Sequence, residues 1–203
     1  MKRSVLILFI IVLSANEMAG KGRLHERITF GVEWGYIGVF YTGHHYNFFD
    51  SEGYRFDVRE NEFRYDTNAE GYLHVGYDVT DTFNISLYAG FSAIEDYHLT
   101  VPFSFRMTRF YGNDPEKDRW FAFVDLGSGF SLKKKPQEIF TGKIGAGYRV
   151  SLSMNTKLDF NIALRSAYTR PDIEFYGESI SHENINRNNA YVSAISLGMA
   201  ITF

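Results

Sequence analysis

The chain contains no cysteine, which excludes disulfide scaffolds, thiolate zinc centres, cysteine nucleophiles and a lipid-modified amino-terminal cysteine. Proline is scarce, at 4 of 203 residues. No apolar run approaches the ~20 residues that a membrane-crossing helix needs. The longest, Val5–Leu13, has nine. A basic excess is missing too: 21 Lys+Arg against 24 Asp+Glu give a net charge of −3, so nucleic acid is not an expected partner. No zincin, EF-hand or phosphate-cradling motif occurs, and neither metal nor cofactor is expected.

What is abundant is aromatic side chain, 17% of the chain, together with 18 glycines. That balance favours β-structure. The first residues read differently. Lys2 and Arg3 precede the apolar run, and small and polar residues follow from Ser14 to Gly20. This order is that of a secretory signal peptide. The expected organisation is a leader over 1–19 and one β-domain over 20–203.

Across that domain apolar residues recur at every second position in eight segments, with face limits Phe30–Phe40, Leu73–Val79, Phe83–Phe91, Leu99–Met107, Trp120–Phe130, Phe140–Val150, Leu158–Tyr168 and Tyr191–Phe203. Successive side chains of a strand point to opposite faces, so each segment is a strand with one apolar face. Short connections (80–81, 112–119, 152–157) alternate with others at 42–71, 93–98, 131–139 and 170–190. The 42–71 connection is itself patterned and either extends its flanking strands as a hairpin or adds two strands to make ten.

The apolar faces hold 45 positions and no charge, where composition alone would place about ten. The opposite faces carry Glu33, Asp78, Arg106, Asp125, Lys143, Arg149, Asp159 and Arg165, with His74, among small residues. An eight-stranded barrel is only wide enough inside for side chains to fill it. Bulky apolar faces therefore point outward and the charged faces line the lumen. Aromatics gather at both ends of the apolar faces: Phe40, Phe91, Phe130, Phe140, Tyr168 and Tyr191 at one, Tyr77, Phe83, Trp120, Tyr148, Phe160 and Phe203 at the other. Two such girdles mark a bilayer's interfaces.

Ser196, Gly198, Ile201 and Phe203 fit the pattern polar-x-Gly-x-x-apolar-x-apolar that ends outer-membrane barrels. From about residue 25 onward the chain resembles the small outer-membrane β-barrel proteins of Gram-negative bacteria, the eight-stranded OmpA/OmpX-type class. The resemblance implies an all-β, eight-stranded antiparallel up-and-down transmembrane barrel with short periplasmic turns and long extracellular loops. It further implies export to the outer membrane, contact with its lipid and lipopolysaccharide, insertion by the barrel-assembly machinery, and a monomer.

The lumen charges point to a balanced, closed plug, since isolated charges in a narrow interior are costly. Counted from the short turns, Asp78, Arg149 and Asp159 lie lowest, Glu33, Arg106 and Asp125 in the middle, and His74, Lys143 and Arg165 highest. Register across 152–157 pairs Arg149 with Asp159, and Lys143 with Arg165. The second is a like pair needing Asp125, Glu33 or water between its members. The expected role is structural or a surface interaction through loops 42–71 and 170–190. His44, His45, Tyr46, Phe48, Phe49, Tyr54 and Phe56 are the candidate surface for a protein or glycan, or else stack on one another. Two alternatives stand beside it: a narrow ion channel, and an enzyme on outer-membrane lipid with His182 as base. The latter rests on a likeness of His182-Glu183-Asn184 to the His-x-Ser motif of lipid A deacylases. Asn184 stands where that motif has its nucleophile.

Overall fold

The computed structural model describes residues 27–50, 52–94, 98–131, 138–171, 173–175 and 178–203. The leader lies outside these residues. The strands are β1 (Ile28–Phe49), β2 (Arg55–Glu62), β3 (Asp66–Thr80), β4 (Phe83–Ile94), β5 (His98–Tyr111), β6 (Arg119–Ser131), β7 (Glu138–Ser151), β8 (Lys157–Thr169), β9 (Glu174–Phe175), β10 (Glu178–Ser179) and β11 (Ile185–Thr202). Eight of them close a cylinder in the order β1-β3-β4-β5-β6-β7-β8-β11, and β11 returns to β1. All these pairings are antiparallel. Closure removes the unpaired edges that an open sheet would present.

The wall follows the period-two pattern. On β1, Glu33, Ile37 and Val39 face inward and are buried, while Val32, Trp34, Tyr36 and Phe40 face outward and are exposed. Leu87, Leu126, Ile144, Ile162 and Leu164 lie outward at 54–66% exposure. The shortest wall strand, β4, has 12 residues. A tilted strand needs about 9–11 to cross a bilayer core. Among the described residues no helix is long and apolar enough to cross a membrane. The terminal residue seals the seam: Phe203 and Phe30 exchange both backbone hydrogen bonds, at 2.8 and 3.1 Å, and their rings stack at 5.7 Å.

The closed barrel holds eight strands, not ten. Of the two expectations for the 42–71 connection, the hairpin that extends the flanking strands is the one observed. β1 runs 22 residues to Phe49, β3 begins at Asp66, and β2 pairs with β1 alone over Thr42–Phe49. Phe40 stays outward as the period of two requires, and a register shift between Val39 and Tyr41 resets the alternation above it. The result is a three-stranded sheet of β2, upper β1 and the start of β11 that rises beyond the rim.

The interior is not filled by small residues alone. Tyr72, Tyr88, Phe110, Phe121 and Phe123 are also buried there. Gly145 and Gly147 of β7 make room, because a Cβ at either would strike the ring of Phe123 or Phe121.

Candidate functional site: the lumen network and the projecting sheet

Three groups of ion pairs stack along the axis. Arg106 presents its fork to Glu33, with Nη1 and Nη2 donating at 2.6 and 3.1 Å, and its Nε donates to Asp125 at 3.0 Å. The Tyr88 hydroxyl accepts from Nη1 at 3.0 Å, and the guanidinium lies over the Tyr88 and Phe123 rings at 4.0 and 4.4 Å. Glu70 receives Lys143 Nζ at 2.9 and 2.8 Å, Arg165 Nη1 at 2.8 Å and the Tyr72 hydroxyl at 3.1 Å. Arg149 grips Asp159 with two parallel bonds of 2.7 Å. Bidentate, charge-assisted bonds of this kind offset the desolvation of groups with so little water contact. The ionic side chains are at most 11% exposed.

Registers explain the assembly. Arg106, Asp125, Lys143 and Arg165 are cross-strand neighbours in one row, so sign alternates until Lys143 meets Arg165. Glu70 lies between those two cations, a residue that sequence reasoning missed. It falls within the 42–71 connection, although the two-residue period runs unbroken through Glu70, Tyr72, His74, Gly76 and Asp78. Arg119 was missed for the same reason. It is buried opposite Arg149, donates to the Asp81 carbonyl at 2.6 Å, and both guanidinium groups cover the Phe110 ring, at 4.0 and 4.3 Å. Asp78 sits half-buried at the rim and accepts from Asn84 at 2.7 Å.

His74 does not share the upper level with Lys143 and Arg165. It opposes Gly31, stacks on Tyr88 at 4.8 Å, and lines a polar cavity with Arg149 and Asp159. Counting from a turn fails here because tilt and shear offset each strand against its neighbours.

Above the Glu70 group apolar residues enter the lumen. Ile37, Val39, Ile139, Ala167, Val192 and Ala194 form one buried cluster on the long-connection side. The lumen is therefore ionic in its lower and middle parts and mixed above them, where Asn68, Ser92, Thr100 and Thr169 are buried beside the apolar cluster.

The candidate surface aromatics divide. Phe48 is 2% exposed and stacks on Phe56 at 5.6 Å. His44 and Tyr46 stack at 5.5 Å, with a 2.7 Å bond between Tyr46 Oη and His44 Nδ1. Phe49 and Tyr54 are exposed. His45 Nε2 lies 2.9 Å from Asp57 Oδ1 on the outer surface. That hydrogen bond holds the Asp57 carboxyl below the ordinary carboxylate range. Ile173 is also buried, and Asn188 donates to the Pro171 carbonyl. Below the sheet, the Tyr36 and Tyr65 hydroxyls meet at 2.5 Å and Tyr41 packs on Phe63, a strongly exposed outward ring.

Ser196 faces inward, buried opposite Ile37, and Gly198 pairs with Gly35 and Asn161. Ile201 is half-buried, and Phe203 closes the seam. The backbone of His182 lies in a single 3₁₀ turn, His182–Asn184, and its side chain lies outside the described residues. Among the described residues no group of three or more His, Asp or Glu is placed to hold a metal.

No protein-family model and no curated protein matches the chain. Solved structures do. The outer membrane protein OprG of Pseudomonas aeruginosa is similar at 9% identity and TM-score 0.52, covering 86% of this chain and 95% of that one. The N-terminal β-barrel domain of P. aeruginosa OprF gives 13% identity and TM-score 0.46, over 86% and 97%. Neisserial surface protein A gives 13% and 0.43, over 86% and 97%. This chain thus has the closed, eight-stranded antiparallel fold of which the outer membrane protein OprG is a solved example.

Proposed function

We propose that the protein is an outer-membrane barrel with a closed lumen, serving a structural or surface-interaction role through its projecting sheet. One observation carries this reading: bulky apolar side chains cover the outside, while a network of buried ion pairs beneath an apolar cluster fills the inside. Ionised groups belong inside and greasy ones outside only where the surrounding solvent is hydrocarbon. The short turns then face the periplasm, and the β1–β2 sheet stands outside the cell. Its exposed Phe49 and Tyr54, flanked by charged residues, suit a protein or glycan partner.

Planar-bilayer recording tests closure. The purified protein is expected to give no single-channel steps, and reproducible steps that vanish when it is omitted would replace this reading with the channel. Hydrolysis of purified lipid A, lost on His182→Ala, would replace it with the enzyme.

A further inference from the structure

The projecting sheet ends on an open edge. β2 is the last strand in the sheet order, and among the described residues no strand lies along its far side. Its eight residues are exposed except Phe56 and Val58, which are half-buried. The hairpin sets the phase of its hydrogen bonds. Asp50 N–H donates to the Tyr54 carbonyl at 2.9 Å, so the even-numbered residues of β2 bond to β1 in the observed register, Val58 with Tyr46 and Glu60 with His44. The backbone groups of Arg55, Asp57, Arg59 and Asn61 therefore point away from the sheet.

Charge commonly protects such an edge from other strands. Here the charges complement a second copy of the same strand. Antiparallel pairing centred on Val58 sets Asp57 opposite Arg59 twice, Arg55 opposite Asn61 twice, and Val58 on Val58. The four residues with outward-pointing backbone then supply about eight hydrogen bonds, two for each pair. Sign and phase select this register. Slipping by two residues sets Asp57 on Asp57 in one direction and Arg59 on Arg59 in the other, and like charges directly opposite are destabilising. Slipping by one faces the edge groups with even-numbered residues, which already bond to β1. Both charged side chains are within reach, since Arg59 is exposed and Asp57 is 48% exposed.

We propose that the β2 edge binds the β2 edge of a second copy of this chain, antiparallel about Val58, and so joins barrels that stand in two facing membranes. The orientation follows from symmetry. An antiparallel edge pair has its two-fold axis along the sheet normal. The sheet continues the barrel wall through β1, so that normal lies near the membrane plane and the axis inverts the second barrel. Upright neighbours in one membrane cannot pair in this way. One edge contact of this size is weak, and many copies on opposed surfaces add their contacts. The pairing rests on the reading that the sheet stands outside the cell, and it names the partner of that sheet.

The lack of cysteine makes the register directly testable in the full-length protein, folded in detergent micelles where copies tumble freely. Val58→Cys places two thiols in a non-hydrogen-bonded pair with Cα atoms about 4.5 Å apart, within disulfide range, and should give a cross-linked dimer on mild oxidation. Asn61→Cys and Arg55→Cys should each stay monomeric alone and cross-link when mixed. Vesicles carrying the parent protein should cluster, as read by turbidity. Vesicles carrying Asp57→Arg, or Arg59→Asp, should cluster about tenfold more weakly, because attractive pairs become like pairs. Mixing those two populations should restore clustering, since each supplies the charge that the other needs. Cross-linking of Asn61→Cys alone as readily as Val58→Cys, or mixed populations that stay dispersed, would overturn the proposal. Parent vesicles that never cluster, while an extended peptide from a random library docks on β2, would give the edge to a foreign strand and overturn it too. Heat-modifiable migration of every variant reports the barrel separately, so dispersed vesicles carrying folded barrels defeat the pairing and leave the outer-membrane reading as it stands.

Discussion

The lumen and the projecting sheet are built from the same long strand, β1, yet they are held by different physics. Inside the barrel, Glu33 of β1 is fixed by a bidentate guanidinium that also bonds a second carboxylate and a phenol. Arg106 and Glu70 each bond several other groups, and removing either strands its partners away from water. Beyond the rim, the same strand meets β2 on one side and β11 on the other. Order there rests on the Phe48–Phe56 stack and on surface bonds such as His45 to Asp57. Exposed pairs of that kind contribute little, because water and salt compete for them. A rigid stem and a replaceable tip follow from the change of surroundings, not from a change of strand.

The sharpest break in this contrast is Glu70→Gln. It leaves Lys143 and Arg165 without a full counter-charge, and the expected loss is about 3–5 kcal/mol in urea unfolding from micelles or vesicles. Phe48→Ala comes next. Emptying a 2%-exposed site beside Phe56 should loosen the sheet by about 3 kcal/mol. Proteolysis within 50–62 should then speed up while the barrel's heat-modifiable migration stays as in the parent. If the barrel melts along with the tip, the two regions are not separate. The smallest effect belongs to Asp57. Its carboxyl, lowered by the hydrogen bond to His45, favours the folded tip at neutral pH. That contribution is lost only as pH falls through the depressed value, below about pH 4. A carbonyl NMR titration should show the midpoint returning to the ordinary range in His45→Ala, with no change in barrel stability between pH 5 and 8.

The wall was readable in the sequence because a strand's period of two leaves no ambiguity when one face is uncharged over 45 positions. Cross-strand partners around a tight turn were readable as well: Arg149 and Asp159 pair as simple register arithmetic requires. Contacts across the lumen were not. Glu70 and Lys143 lie on strands that are not neighbours in the wall, and only the barrel's closure and shear decide which side chains meet in the middle. The bulges of β1 were equally hidden, since Phe40 and Tyr41 read as ordinary strand residues. The aromatic tip was legible as a cluster but not as two halves, one stacked inward and one exposed.

The inverted arrangement of the wall is tested most directly by tryptophan quenching in vesicles, using Trp120→Phe and Trp34→Phe to isolate each of the two indoles. Trp34 and Trp120 both point outward, at 41% and 64% exposure, the first within the wall and the second at its short-turn rim. Acyl chains brominated deep in the bilayer should quench Trp34 strongly, those brominated near the headgroup should quench Trp120 more, and aqueous iodide should leave Trp34 bright. Efficient iodide quenching of Trp34 with no effect of brominated chains would contradict a barrel whose apolar face meets lipid.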